Sequence, residues 1–341
     1  MEYPSTGRIA WVTAPHTVEI RQRDIRPLAP HEVLIQIRAS ALCGSDLHTV
    51  RGKHPSVSLP STIGHEFSGD VVAIGEAVSP ARLGQRVTVE PCTACGTCES
   101  CRSGRYDLCR KLRFLYRDGD GAMADYILVN ESSLFPLPDA MSYDEGALME
   151  PLSVSIHAVR RGGVSSGDSV FILGDGPIGI LTAAACRLAG AERILLAGHS
   201  PARLALAKSF GATETLNAHD RESAEWVLDT TGGVAKSFEC VGSEGCFEQA
   251  TRALRPGGVA VIAGIYEEPH IRMDISRLIT RKLSILGTQS YCHDFPRAIA
   301  AAASIPLKSL ISHTFPIDRL GEALETAMER KRETVKIVIH P

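Results

Sequence analysis

The chain has 341 residues, 44% hydrophobic and 22% charged, with 36 Lys and Arg against 39 Asp and Glu for a net charge of −3. That length exceeds what one hydrophobic core usually organises and argues for two domains, and the balance excludes a disordered, collagenous or coiled-coil chain. No block of five like charges and no apolar run of 18 residues occurs, which excludes an electrostatic footprint for nucleic acid and a membrane-spanning helix and leaves a small molecule as the expected ligand.

In chain order, Met1, Glu2, Tyr3 and Pro4 form neither a basic nor an apolar leader, so the expected compartment is the cytoplasm. Ten Cys stay reduced there, and several of them are expected to bind metal. The first third reads as strands bounded by Pro or Gly over 18–21, 33–41 and 70–74, with Val33, Ile35, Ile37 and Ala39 alternating in the second. This predicts a β-rich domain with long loops. One of them, 90–121, carries Cys92, Cys95, Cys98, Cys101 and Cys109, and a structureless stretch of that length needs a staple or a function.

From about Ser169 apolar strand-like runs at 169–173, 193–197, 237–241, 259–264 and 283–286 alternate with helical patterns at 177–188, 202–210 and 247–254. Alternating β and α predicts a parallel sheet covered on both faces. Helical patterns at 295–304 and 320–329 follow, then a strand at 335–339 that suggests a return to the first domain.

Cys95, Cys98, Cys101 and Cys109 follow a C-x-x-C-x-x-C pattern with a fourth Cys seven residues on. Four thiolates on one short loop suit a closed tetrahedral zinc site of the structural kind; a disulfide pair or an iron–sulfur cluster is the alternative. Cys92 falls outside the pattern and reads as a neighbour. Cys43, in Cys-Gly-Ser-Asp-Leu-His, and His65-Glu66 offer a second thiolate, imidazole and carboxylate set. With Glu150, a carboxylate in an apolar stretch that wants a cation, they read as a second metal site with room for water or substrate.

Gly174-Asp175-Gly176-Pro177-Ile178-Gly179 follows a predicted strand and opens a predicted helix. Glycines there permit a tight turn and let a pyrophosphate rest on the helix N-terminus, which predicts dinucleotide binding. The acid expected at the end of the next strand, for a ribose 2′-hydroxyl, is missing. Gly198, His199, Ser200 and Arg203 stand there instead, and this leans the cofactor from NAD toward NADP.

These motifs, in this order, resemble the zinc-dependent medium-chain dehydrogenases over nearly the whole chain, from Cys43 through Gly64-His65-Glu66-Phe67-Ser68-Gly69 and the four-Cys lobe to Val335-Lys336-Ile337-Val338-Ile339. The resemblance implies an α/β fold: a GroES-like β-rich catalytic domain at 1–155 and 290–341, and a Rossmann doubly wound parallel-sheet domain at 156–289. It implies Cys43 and His65 as ligands of a catalytic zinc, with Glu66 a third ligand or its support and Glu150 an alternating ligand or water partner. Ser45 would take the substrate proton and His48 pass it on, while Asp46 orients the zinc-bound His. Val241, Gly287 and Thr288 stand where related enzymes contact the nicotinamide half of the cofactor.

Glu150-Pro151-Leu152-Ser153-Val154 is similar to the sorbitol and galactitol-phosphate branches. The implied reaction is hydride transfer between NAD(P) and a secondary hydroxyl of a polyol, a sugar alcohol, free or phosphorylated, or a cyclitol, with two Zn²⁺ per chain. The alternatives are a simple secondary alcohol, a hydroxy amino acid such as threonine, or a non-catalytic member of the fold. Arg51, Lys53 and His54 would suit a substrate phosphate or carboxylate, or are simply solvated. Neither nucleic acid nor membrane is expected as a partner. A homodimer or homotetramer is, with the strand at 259–264 near the sheet edge as a candidate contact.

Overall fold

The computed structural model describes residues 3–329 and 333–341. They divide into two compact units, one running to Glu150 and resuming at Ile311, the other Pro151–Leu310. The return to the first unit therefore falls later than the expected 290. Residues 290–310 are tied to the second unit by Asp294, which is wholly buried, lies 2.8 Å from His157 Nδ1 and pairs with Arg160. Both partners lie on the helix Met149–Gly162, whose Pro151 and apolar residues concealed it as a helix in the sequence.

The first unit is built on a seven-stranded sheet in the order Leu134–Pro136, Arg86–Val89, Glu66–Ile74, Glu32–Ala41, Lys336–His340, Ile311–Pro316, with Tyr126–Asn130 also pairing on Glu32–Ala41. A second sheet joins Thr17–Asp24, Thr6–Ala14 and Ser61–Thr62. Glu32–Ala41 is buried along most of its length because it has neighbours on both sides, and Ile9, Val33, Ile35, Phe67 and Val71 fill the core beneath it. The Cys-rich loop is stapled locally by a short ladder of Cys92–Thr93 with Arg113–Phe114 and by the helix Glu99–Arg102.

The second unit holds six parallel strands in the order Glu214–Asn217, Arg193–Gly198, Ser169–Leu173, Val234–Glu239, Leu254–Ile262, Ser284–Gly287. Numbered within the unit this is 3-2-1-4-5-6, the doubly wound order whose reversal creates a crevice at the strand ends. Leu254–Ile262 is internal, so the segment at 259–264 does not border the sheet; the edge strand is Ser284–Gly287. Glu214–Asn217 and the helix Ser223–Thr231 escaped the sequence pattern, since every residue of that strand is only half-buried and leaves no clean alternation. No helix among the described residues is long and apolar enough to cross a membrane.

Candidate metal centres and dinucleotide pocket

Strand pairing decides which residues meet. Ala41 pairs with Glu66 on one side and with Val338 on the other, so Leu42 and Cys43 leave the sheet between Glu66 and Lys336. Cys43 caps the helix Gly44–Val50, its N–H donating to Asp46 Oδ2 at 2.9 Å. Asp46 Oδ1 accepts the N–H of Gly64 at 3.0 Å, so one buried acid ties the segment bearing Cys43 to the segment bearing His65. Gly64 has φ +93°, and a Cβ there would lie 2.5 Å from the N of Met123; only glycine fits this approach.

His65 Nδ1 lies 3.7 Å from Asp46 Oδ1, beyond hydrogen-bond range but within electrostatic reach. Burial pushes the Asp46 carboxyl up, but His65 and the two N–H donors outweigh it and hold the group below the ordinary carboxylate value. Burial likewise pushes the His65 imidazole down, and Cys43 and Asp46 more than reverse it, leaving it well above its ordinary value.

The ligating atoms of Cys43, His65 and Glu66 all lie within 4.8 Å of one another. A thiol, an imidazole and a carboxylate are a zinc donor set, and three protein donors leave a coordination position open. His65 Nδ1 has no hydrogen-bond partner, and Glu66 has no solvent exposure, so the cluster fits a bound cation. Glu150 is buried but stands outside this cluster. Burial, chiefly, pushes its carboxyl up to about 7, with Glu66 and Asp46 adding to the shift and His65 and Lys336 opposing it.

Two residues that sequence reasoning missed complete the surroundings. Lys336 is 2% exposed and donates from Nζ to Glu66 Oε1 at 2.7 Å and to the carbonyl of Leu42 at 2.9 Å. A lone Lys in an apolar terminal strand was the available signal. The Tyr116 ring stands 5.0 Å from that of His65 and 6.3 Å from that of His54, and nothing in the Cys-rich loop marked it. Ser45 is buried in the first turn of Gly44–Val50, and His48 Nδ1 lies 3.2 Å from the Arg51 guanidinium.

The four lobe thiols converge separately. Sγ separations are 3.5 Å for Cys98–Cys101 and Cys95–Cys109 and 3.9 Å for Cys95–Cys101. Four sulfurs about 2.3 Å from one zinc in a tetrahedron stand about 3.8 Å apart, so the lobe fits that ion, and these distances are too long for disulfides. The N–H and hydroxyl of Thr97 hold the Cys95 thiol well below its usual range. Cys92 lies outside the set, its thiol directed at Glu90 Oε1 3.5 Å away.

In the second unit the strand Ser169–Leu173 turns through Gly174, at φ +111°, into the helix Pro177–Leu188. A Cβ on Gly179 would lie 1.9 Å from the carbonyl oxygen of Gly174, so helix and turn meet as closely as backbone allows. The turn opens on a cavity of about 630 Å³, lined by Gly174, Gly176, Gly198, His199 and Val241 among the expected residues. Pro177, Ile178, Gly179, Ser200, Arg203, Gly287 and Thr288 do not line it.

Gly287 and Thr288 follow the edge strand, where the Gly287 carbonyl accepts from Arg161 at 2.5 Å and the Thr288 N–H donates to Ile262 at 3.1 Å. Glu239 closes the strand that leads into Val241. Its buried carboxylate accepts the N–H groups of Val241 and Gly242, each at 2.8 Å, and the hydroxyl of Tyr266 at 3.1 Å, fixing the turn beside the cavity. Burial pushes that carboxyl up.

Residues 29–139 match the alcohol dehydrogenase GroES-like domain, and residues 177–304 match the zinc-binding dehydrogenase domain. The chain is 32% identical to a sorbitol dehydrogenase of Bacillus subtilis, covering 99% of this chain and 98% of that protein. Among solved structures it is similar to a zinc-binding dehydrogenase of Sinorhizobium meliloti bound to NADP, with TM-score 0.90, 30% identity and coverage of 99% and 100%. It is also similar to galactitol-1-phosphate dehydrogenase of Escherichia coli, with TM-score 0.90, 27% identity and coverage of 98% and 100%.

Proposed function

Because the chain belongs to the zinc-dependent medium-chain dehydrogenases, we propose that it transfers hydride between NAD(P) and a secondary hydroxyl of a polyol or sugar alcohol. The observation that carries this reading is the convergence of Cys43, His65 and Glu66. These three would hold one zinc, with Glu150 beside them, and Cys95, Cys98, Cys101 and Cys109 would hold a second; the glycine-rich turn at 174–179 would receive the dinucleotide. When bound, the first zinc would supply Lewis acidity at a substrate hydroxyl, and the dinucleotide would supply the hydride-exchanging group.

The chain's own residues do the rest. Asp46 fixes the segment carrying His65, and Lys336 pairs with the buried Glu66 carboxylate and holds it in place. Ser45 takes the proton of the substrate hydroxyl at its Oγ and His48 carries it outward. Val241, held by Glu239, contributes to the cofactor site, as do Gly287 and Thr288. The compartment is the cytoplasm, in keeping with ten Cys that form no disulfide. The working form is a homodimer or homotetramer.

Following reduced-nicotinamide absorbance with NAD⁺ and NADP⁺ in parallel, against polyols, sugar phosphates, cyclitols, threonine and simple secondary alcohols, tests the reading. Turnover is expected with a polyhydroxylated compound. Turnover confined to a simple alcohol or an amino acid would replace the substrate class, and silence in protein loaded with zinc at both sites would overturn the enzymatic reading.

A further inference from the structure

In a doubly wound sheet the end of the second strand decides between the two nicotinamide dinucleotides. An acid there accepts from the ribose 2′-hydroxyl, and donors or cations there receive a 2′-phosphate. The strand Arg193–Gly198 ends without an acid, and the turn that follows offers a phosphate the N–H groups of His199 and Ser200 and the guanidinium of Arg203. All three are already directed at one carboxylate. Asp175, from the glycine-rich turn, accepts on Oδ2 from His199 N–H at 2.8 Å and from Ser200 N–H at 2.7 Å, and its Oδ1 lies 3.7 Å from Arg203.

The carboxylate has room there only because residue 198 is glycine, since a Cβ at that position would lie 2.4 Å from Asp175 Cβ and Cγ. Asp175 is 8% exposed and lines the same cavity as Gly198 and His199. Asp220 and Glu222 also line it, Glu222 lying 3.5 Å from the Arg252 guanidinium, and Arg221, the guanidinium among them, pairs with Asp229. The rings of His199 and His219 face each other 4.6 Å apart.

We infer that Asp175 takes the place of the acid missing from the second strand, and that the protein selects NAD over NADP. This rests on the dinucleotide reading of the second unit and reverses the lean toward NADP that Gly198 and Arg203 suggest in the sequence. The backbone donors a 2′-phosphate needs are consumed within the chain, and the Asp175 side chain occupies the strand end. An acid supplied from the first turn and a glycine at the end of the second strand act as one device.

The test is direct binding of NADH and of NADPH to the zinc-loaded protein, read by nicotinamide fluorescence and by thermal shift, without substrate. NADH is expected to bind at least about tenfold more tightly, a difference of about 1.4 kcal/mol. Asp175→Ala is expected to bring the two affinities to within about threefold of each other, by weakening NADH and strengthening NADPH. Asp175→Asn, which keeps the side chain's shape and removes its charge, serves where the alanine variant does not fold, and is expected to shift the ratio in the same direction. NADPH binding as tightly as NADH in the unaltered protein, or a ratio unchanged in both variants, would overturn the inference. Binding of neither nucleotide would overturn the dinucleotide reading itself, a distinct result.

Discussion

Lys336 and Glu66, 270 residues apart in sequence, form a buried ion pair beside the candidate catalytic metal ligands, with Nζ 2.7 Å from one carboxylate oxygen and 2.6 Å from the other. Burial pushes the lysine's pKa down, but Glu66, Cys43 and Glu150 outweigh it and raise the pKa above its ordinary value, so the ammonium persists inside the protein. Removing one partner of such a pair strands the other charge. Lys336→Met is expected to cost about 3–5 kcal/mol in urea unfolding of the zinc-loaded protein. Lys336→Met with Glu66→Gln should recover much of that loss, and a single-variant cost under about 1 kcal/mol would show that Glu66 is compensated by something else.

Metal content separates the two sulfur sites. Cys43→Ala is expected to drop zinc from two ions per chain to one, to leave the fold in place, and to lower turnover at least about a hundredfold through loss of Lewis acidity worth several kcal/mol. Cys98→Ser should also leave one ion, but with a lower melting temperature, because the lobe at 95–109 has little apolar core of its own. Full activity in the Cys43 variant would sink its assignment.

Gly198→Ala adds a Cβ into atoms of Asp175 at 2.4 Å. Overpacking of this kind costs about 1–3 kcal/mol and should also weaken NADH binding, since the turn at 198–200 has to shift. Adding Asp175→Gly, which takes away the Cβ as well as the carboxylate, removes the obstruction and should return most of the stability. If the double variant is as unstable as the sum of the singles, the two residues are not coupled.

Asp294 sets an acid limit on the second unit. Burial pushes its carboxyl up, but His157, the N–H of Cys292 and Arg160 outweigh it, so it titrates below the ordinary carboxylate value. A carboxyl lowered on folding contributes stability above its unfolded pKa of about 3.9, and the contribution disappears as pH falls through the folded value. Asp294→Asn is expected to lose about 1–3 kcal/mol at neutral pH and to flatten the fall in stability below about pH 4. An acid limb unchanged from the unaltered protein would show that other carboxylates dominate it.

Much of the architecture is legible in the sequence. The Cys spacing at 95–109, the glycine turn at 174–179 between strand and helix, and the alternating β and α segments beyond Ser169 are each short-range patterns, and each proved to be an element or a cluster in space. The return at 290 was misplaced because Asp294 is claimed by partners more than 130 residues away, which no local pattern records. The strand Glu214–Asn217 was missed because its half-buried residues carry no period.

The candidate sites divide along the same line. Spacing along the chain by itself pointed to the meeting of the four lobe thiols, since closing a loop of fifteen residues around one ion costs little chain entropy. It also determined the turn that opens the second unit, because glycine's lack of a Cβ is a property of the residue. Only the tertiary structure decided that Glu66 would face Lys336, because that contact depends on the register of two strands on either side of Glu32–Ala41. Only it decided that Asp175 would fill the space left at Gly198. In both cases the partner is chosen by the packing of distant segments, and a side chain's role is set by the charge and volume that other parts of the chain bring against it.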